Sequence, residues 1–479
     1  MKKILFAGAE AMPFAATGGL GDVLGSLPAA LAAEPDTDVR VIMPLYGQVS
    51  DQWRAKMKEE AVFTVQLSWR QLYCGIKSLK KDGVTYYFID NEYYFKRDTL
   101  YGAFDDGERF AFYSMAVMEA MKQLDFYPDV LHAHDWQAAL TVVYLAAIYR
   151  ARPGYEGIRS VFTIHNIEYQ GQYHFGILGD VFALGFEQYE RMDFDGCINL
   201  MKAAIVSADA VSTVSPRYAE EICTPEYGHG LDGILRENRH KLCGILNGID
   251  YSYYNPAKDA VIPVRYSWRT RERKPENKLA LQNALGLPAE KDVPMLAIIS
   301  RLVAHKGLDI IAEIAARLVG NNDVQLVVLG RGDESYENFF IELEHRFPDK
   351  VRALMRYDRD LAKEIYAAAD IFRMPSTTEP CGLAQMISSR YGAIPVVRET
   401  GGLYDSIKGY WEDKGRALGN GFTFAGYNGN ELLNCILSAL TLWRDAERRH
   451  KLIGKIMRTD FSWQQSARSY CEMYSKLNG

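Results

Sequence analysis

The sequence predicts an α/β protein of two doubly wound domains, and three observations carry that prediction. A buried strand over 3–7, the turn Gly18-Gly19-Leu20-Gly21-Asp22, a helix toward Ala33 and a strand over 39–43 open a parallel sheet covered by helices. A second alternation of strand, loop and helix starts at Met295. The 479 residues exceed what one core of ordinary size organises.

Composition narrows the class. Apolar residues make up 48% and charged residues 24% of the chain, as in a soluble globular protein. A net charge of -6 argues against nucleic acid or an anionic membrane as the main partner. A phosphorylated substrate then needs cations placed locally. The seven scattered cysteines lack a C-x-x-C pair, which points to a reducing cytoplasm and no structural zinc. The apolar run after Met1 stops at Glu10, too short for a signal peptide. No uninterrupted apolar stretch reaches the roughly 18 residues of a membrane span.

In chain order, the glycines after the first strand lack the G-x-G-x-x-G spacing, which disfavours a nicotinamide cofactor. Paired Gly18 and Gly19 suit a tight turn or a backbone approached closely by a ligand. Alternating residues between Val62 and Asp90 predict hairpins at the edge of the first sheet. Tyr93, Tyr94, Phe95 and Tyr101 follow as either a sugar lining or packed loop anchors. Beyond a helix over 110–124, the strand 130–134 ends in Asp135-Trp136, and the strand 160–164 ends in His165-Asn166. Further strands are expected over 210–214 and 241–246, before the turn Asn247-Gly248-Ile249-Asp250 that marks a hinge.

In the second half, the strand 295–299 leads into a loop carrying Arg301 and Lys306, two cations on one strand end, as a pyrophosphate requires. A helix over 308–318 and a strand over 325–329 follow. The segment Met374-Pro375-Ser376-Thr377-Thr378-Glu379-Pro380-Cys381-Gly382-Leu383 sets a carboxylate on a strand-end loop beside the amides of Gly382 and Leu383. Taken alone it also reads as an ordinary strand-turn-helix. The strand 394–397 ends in Thr400-Gly401-Gly402-Leu403, a second glycine turn suited to a phosphate oxygen.

Eight motifs in order resemble bacterial glycogen synthases and plant starch synthases. They are Thr17-Gly18-Gly19-Leu20-Gly21-Asp22-Val23, His132-Ala133-His134-Asp135-Trp136, His165-Asn166-Ile167-Glu168-Tyr169-Gln170-Gly171 and Thr224-Pro225-Glu226-Tyr227-Gly228. Ile245-Leu246-Asn247-Gly248-Ile249-Asp250, Ser300-Arg301-Leu302 with Lys306-Gly307, Glu379-Pro380-Cys381-Gly382-Leu383 and Thr400-Gly401-Gly402-Leu403 complete them. The resemblance implies a GT-B fold, two Rossmann-like domains facing across a cleft. Expected boundaries are 1–248, with a hairpin insertion near 61–90, then 249–459, then a helix over 460–479 packing back across the hinge.

It also implies a cytoplasmic, cofactor-free and metal-free transfer of glucose, with retention, from ADP-glucose to the non-reducing 4-OH of an α-1,4-glucan such as glycogen. Arg301 and Lys306 are then expected on the diphosphate. Glu379 faces glucose hydroxyls, helped by Cys381, Gly382 and Leu383. His165 and Asn247 face the transferred glucose, Asp135 lies toward the acceptor, and Tyr357 stacks on adenine. Gly18, Gly19, Asp22, Thr400 and Gly401 complete the expected binding set, assembled by domain closure.

Three positions depart from the family pattern. Ala16 stands where a lysine is usual, Thr377-Thr378 where an arginine and an aromatic are usual, and Gln137 where a histidine is common. Losing one charged contact to a phosphorylated ligand costs about 1.5–3 kcal/mol, roughly ten- to a hundredfold in rate. The departures therefore predict a slowed enzyme. Alternatives are a weakly active or inactive glucan-binding paralogue and a transferase with an altered donor.

Overall fold

Two large sheets form where the sequence places its apolar runs, one in each of two units, in a computed structural model whose described residues are 1–413 and 416–477. The units are Met1–Gly248 with Trp463–Gly479, and Ile249–Ser462.

The first unit's sheet holds β1 (Lys2–Ala7), β2 (Thr37–Pro44), β3 (Lys58–Leu67), β4 (Arg70–Lys81) and β5 (Val84–Asp90). It continues with β6 (Val130–His134), β7 (Arg159–Ile164), β8 (Ala210–Thr213) and β9 (Leu242–Gly244). Their order is β9-β8-β7-β6-β1-β2-β5-β4-β3. All neighbours run parallel except β3 with β4 and β4 with β5, which form the expected edge hairpins. β9 is shorter than the expected 241–246. At Gly244 a Cβ would stand 2.2 Å from the Ser215 carbonyl oxygen, so the strand ends where the backbone is pressed against that loop.

The last helix, expected over 460–479, runs Trp463–Lys476, and residues 478–479 lie outside the described residues. It packs on the helix Gly19–Ala32 of the same unit, and Ser466 Oγ donates to the Leu246 carbonyl at 2.6 Å.

The second unit's sheet holds β10 (Met295–Ile299), β11 (Gln325–Leu329), β12 (Val351–Leu354), β13 (Ile371–Met374), β14 (Ile394–Arg398) and β15 (Phe422–Phe424). The order is β12-β11-β10-β13-β14-β15, parallel throughout. Helices Leu308–Asn321 and Gly429–Arg444 bury Ile311, Ile314, Leu318, Leu432, Ile436 and Leu440 over Leu296, Ile298 and Val396. Each such side chain contributes about 1.5–3 kcal/mol when fully buried. At the opposite strand ends, the buried Lys278 ammonium holds Asp370 at 2.7 Å, and Asp370 also accepts the Met295 N–H at 2.9 Å. That pair fixes β13 beside β10.

Both sheets reverse direction once. In the first the chain steps from β1 to β2 on one side and returns to β6 on the other; in the second it leaves β10 for β11 and returns to β13. Ligands of such sheets bind beyond the strand carboxyl ends at these switch points. The residues there are Glu10 and Asp135 in one unit, and Arg301 and Glu379 in the other.

Candidate active site

In the second unit the switch point gathers the loops after β10, β13 and β14. Lys306 Nζ lies 2.7 Å from Glu379 Oε2, which also accepts the Ser376 hydroxyl at 3.0 Å. Glu379 Oε1 accepts nothing from the described residues, so half of this nearly buried carboxylate is left for a ligand. Arg301 is exposed and joins no hydrogen bond or ion pair among the described residues.

Glycines set the spacing of these loops. Gly307 is left-handed at φ 70°, and a Cβ there would stand 2.1 Å from the Pro375 carbonyl oxygen. A side chain at 307 would thus push the Lys306 loop away from the Glu379 loop. The Thr377 N–H closes the same gap by donating to the His305 carbonyl at 3.0 Å.

The second glycine turn brings two loops together. The Gly402 N–H is committed to the Glu379 carbonyl at 3.0 Å and the Pro380 carbonyl at 3.2 Å. A Cβ at Gly401 or Gly402 would come within 2.1 Å of a carbonyl oxygen, of Glu379 and Cys381 respectively. These glycines let two protein loops touch, and Thr400 is fully buried beneath them. The amides of Gly382 and Leu383 donate no backbone hydrogen bond among the described residues outside the helix Ala384–Arg390. Cys381 is buried, and Tyr357 is 81% exposed within the loop after β12.

In the first unit, burial acts on one carboxyl and three imidazoles. Asp135 opens the helix Asp135–Tyr144 at φ 55°, a conformation rare outside glycine, and its Oδ1 accepts the His165 N–H at 2.7 Å. Burial pushes its carboxyl up to about 7. Burial also holds His165 down at about 3, and His132 and His134 well below the usual imidazole range. His134 Nδ1 and His165 Nε2 are 2.9 Å apart, an N–H to N contact between two uncharged rings. His132 is structural: Tyr474 and Thr163 take both of its nitrogens. Asn247 is nearly buried, with no partner for its Oδ1 among the described residues. Asp22 lies in the first turn of the helix Gly19–Ala32.

Gly18 and Gly19 are exposed, neither has a positive φ, and an added Cβ at either meets nothing within 4 Å. Packing therefore does not require them to be glycine. The turn is shaped instead by a residue that sequence reasoning missed. Glu10, 3% exposed, accepts the Thr17 N–H at 2.7 Å, the Thr17 hydroxyl at 2.6 Å, the Gly18 N–H at 3.2 Å and the Tyr101 hydroxyl at 2.6 Å. Tyr101 is thus a loop anchor, as are the fully buried Tyr94 and Phe95, while Tyr93 is exposed. In the same unit, a cavity of about 410 Å³ is lined by Trp136, Glu168, Tyr169, Gln170, Gln172 and His229.

The turn Gly330-Arg331-Gly332 was missed as well. A Cβ at Gly330 would stand 2.0 Å from the Ser300 carbonyl oxygen, and one at Gly332 2.3 Å from that of Leu302. Leu302 N–H donates to the Arg331 carbonyl at 2.9 Å, which sets exposed Arg331 on the loop next to Arg301. Glycines flanking one residue just past a strand were the available signal.

Two doubly wound units, each gathering polar groups at the switch point of its sheet, are the architecture of a GT-B glycosyltransferase. A model of the starch synthase catalytic domain matches residues 3–237, and one of glycosyl transferases group 1 matches 285–456. The glycogen synthase of Geobacillus thermodenitrificans is 46% identical over 477 residues, spanning 99% of this chain and 98% of that protein. That of Bacillus subtilis is 45% identical over the same span. The catalytic domain of starch synthase IV from Arabidopsis thaliana, solved bound to ADP and acarbose, superposes with a TM-score of 0.91 at 34% identity, covering 100% of this chain and 99% of that one. Sucrose-phosphate synthase from Thermosynechococcus elongatus shares the fold, with a TM-score of 0.62 at 17% identity. The chain belongs to the glycogen and starch synthase family, and it is a glucosyltransferase with the function of that family.

Proposed function

We propose that the chain transfers glucose, with retention, from ADP-glucose to the non-reducing 4-OH of an α-1,4-glucan in the cytoplasm. The observation that carries the donor assignment is the Lys306–Glu379 pair at the second switch point, with Arg301 exposed and unpaired beside it. In an acidic chain, this is a local concentration of cations on strand ends. Arg301 and Lys306 neutralise the charge that grows on the departing diphosphate, and Arg331 adds a third cation to the same strand ends. Glu379 Oε1 receives glucose hydroxyls, and the amides of Gly382 and Leu383 and the neighbouring Cys381 help to hold them. Tyr357 offers an exposed ring to adenine.

On the first unit, neutral His165 and Asn247 meet the transferred glucose by uncharged hydrogen bonds. Asp135 lies toward the acceptor, and the aromatic and polar cavity at Trp136 and Tyr169 receives the glucan. Gly18 and Gly19, ordered by Glu10 and followed by Asp22, leave room for the donor. Transfer requires both half-sites on one substrate pair, so closure of the units excludes water at the moment of reaction. Thr400 and Gly401 support the Glu379 loop.

A second reading, a low-turnover glucan-binding paralogue, rests on Ala16 and on Thr377, whose hydroxyl is engaged by the His305 carbonyl at 3.2 Å. Nucleotide release from ADP-glucose, with and without glycogen, separates the two. Glycogen-dependent release that Glu379→Ala abolishes is expected. Glycogen binding without release from ADP-, UDP- or GDP-glucose would leave the paralogue reading in its place.

A further inference from the structure

The second unit holds another cavity, of about 590 Å³, whose lining shares no residue with the strand-end loops. Trp268, Arg271, His450, Lys451, Lys455 and Arg458 form most of its wall, closed by Ala417 and Gly454. Four formal cations face one cavity in a chain of net charge -6, and no carboxylate of the described residues lines it. The carboxylates nearby are Glu447, which holds Lys451 at 2.6 Å, Glu412 and Asp445, which act on Lys451 from a distance, and Glu272, which acts on Arg271.

The arrangement is built rather than a chance cluster of surface lysines. Arg271 Nε donates to the His450 carbonyl at 3.2 Å, and its other nitrogens meet the Trp268 carbonyl and the His450 ring. Gly454 sits inside the helix Ala446–Ile456, where glycine is a poor helix former. A Cβ there would stand 3.0 Å from Arg271 Cζ, so the missing side chain makes room for that guanidinium. The Arg458 guanidinium lies over the Trp268 ring, 5.1 Å from its centroid, and Nε is bonded to the Gly454 carbonyl at 2.8 Å. Its two terminal nitrogens bond to nothing among the described residues. Lys455 reaches the Ala417 carbonyl at 3.1 Å. Burial, with Arg458 as a like-charged neighbour, holds Arg271 below the usual guanidinium range against the opposing pull of Glu272.

We propose that this cavity binds a small phosphorylated anion, separately from the donor half-site. A stacked guanidinium with both terminal nitrogens open presents the fork that phosphate oxygens fit, and lysine ammoniums supply additional point charges. Bound there, the anion ties together the 268–271 segment, Ala417 and the helix Ala446–Ile456.

The test is calorimetric titration of the full-length protein with inorganic phosphate and with glucose 1-phosphate, at low salt and at high salt, with glucose as the uncharged control. Saturable phosphate binding is expected. It should weaken at least tenfold in Arg458→Ala and in Gly454→Ala, severalfold in Lys451→Gln, and at high salt. It should persist in Arg301→Ala/Lys306→Ala, which strips the donor half-site. Lys451 is exposed and outside the catalytic machinery, so Lys451→Gln should leave turnover unchanged and report on the cavity alone. Tighter binding of glucose 1-phosphate than of phosphate would identify a sugar phosphate as the ligand, and equal binding the phosphoryl group alone. No saturable binding, or binding lost in Arg301→Ala/Lys306→Ala and kept in Arg458→Ala, would overturn the proposal.

Discussion

The two switch points solve opposite electrostatic problems. In the second unit, Lys306 pairs with Glu379 at 2.7 Å, and Arg301 stands exposed on the same loop. In the first, burial strips charge from three imidazoles and raises Asp135 to about 7. A diphosphate leaving group calls for fixed cations, whereas sugar hydroxyls call for uncharged donors and acceptors whose desolvation costs little. On the proposed reading, the reaction's charge is handled on one unit and its stereochemical fit on the other.

Removing a charge from the second unit should therefore have the largest effect. Lys306→Gln is expected to lower kcat about 10²–10³-fold, the range for losing one donor to a developing anion. Restoring an absent cation comes next. Ala16→Lys should raise kcat/KM roughly ten- to a hundredfold, worth about 1.5–3 kcal/mol, and no gain would show that the chain has another means of holding the donor. His165→Asn exchanges one uncharged hydrogen-bonding group for another, and about tenfold is expected. A loss as large as that of Lys306→Gln would break the contrast between the units.

The pH dependence sharpens the same contrast. Between about 6.5 and 3 the unfolded chain binds protons that folded His165 refuses, so His165 contributes stability at neutral pH that is lost as pH falls through this window. Asp135 acts in the other direction: its raised pKa makes folding less favourable as pH rises from about 4 toward 7. Thermal melts of His165→Asn should show a flatter decline in Tm below pH 6.5 than the unsubstituted protein. Melts of Asp135→Asn should lose the decline above pH 4.

One buried charge belongs to neither site. Arg373 lies in β13, 1% exposed, with none of its three guanidinium nitrogens bonded among the described residues, and burial holds it down at about 9. Its cross-strand neighbour is Val396, within the apolar core. Arg373→Leu should stabilise the fold by about 1–4 kcal/mol, measured by denaturant unfolding, with kcat unaltered.

Much of this was legible in the chain. The strand-turn-helix signals placed the elements, and the strand-end loops carrying Arg301, Lys306 and Glu379 follow from them, since ligands of parallel sheets bind beyond strand carboxyl ends. The turn at Gly401 and Gly402 suits a phosphate oxygen in sequence, and only the approach of the 379–381 loop reveals that these glycines also bring two loops together. Glu10 was missed because its partners are Thr17, Gly18 and the distant Tyr101, a set that no local pattern announces. The three histidines look alike in sequence. Tyr474, 342 residues from His132, is what makes that one structural.

The most direct test of the division of labour is a crossed binding measurement, titrating ADP and a maltooligosaccharide into Lys306→Gln and into His165→Asn. The account predicts that Lys306→Gln weakens ADP at least tenfold and leaves maltooligosaccharide affinity intact, while His165→Asn leaves ADP affinity intact. Weakened ADP binding in both variants, or unaltered ADP binding in Lys306→Gln, would contradict it.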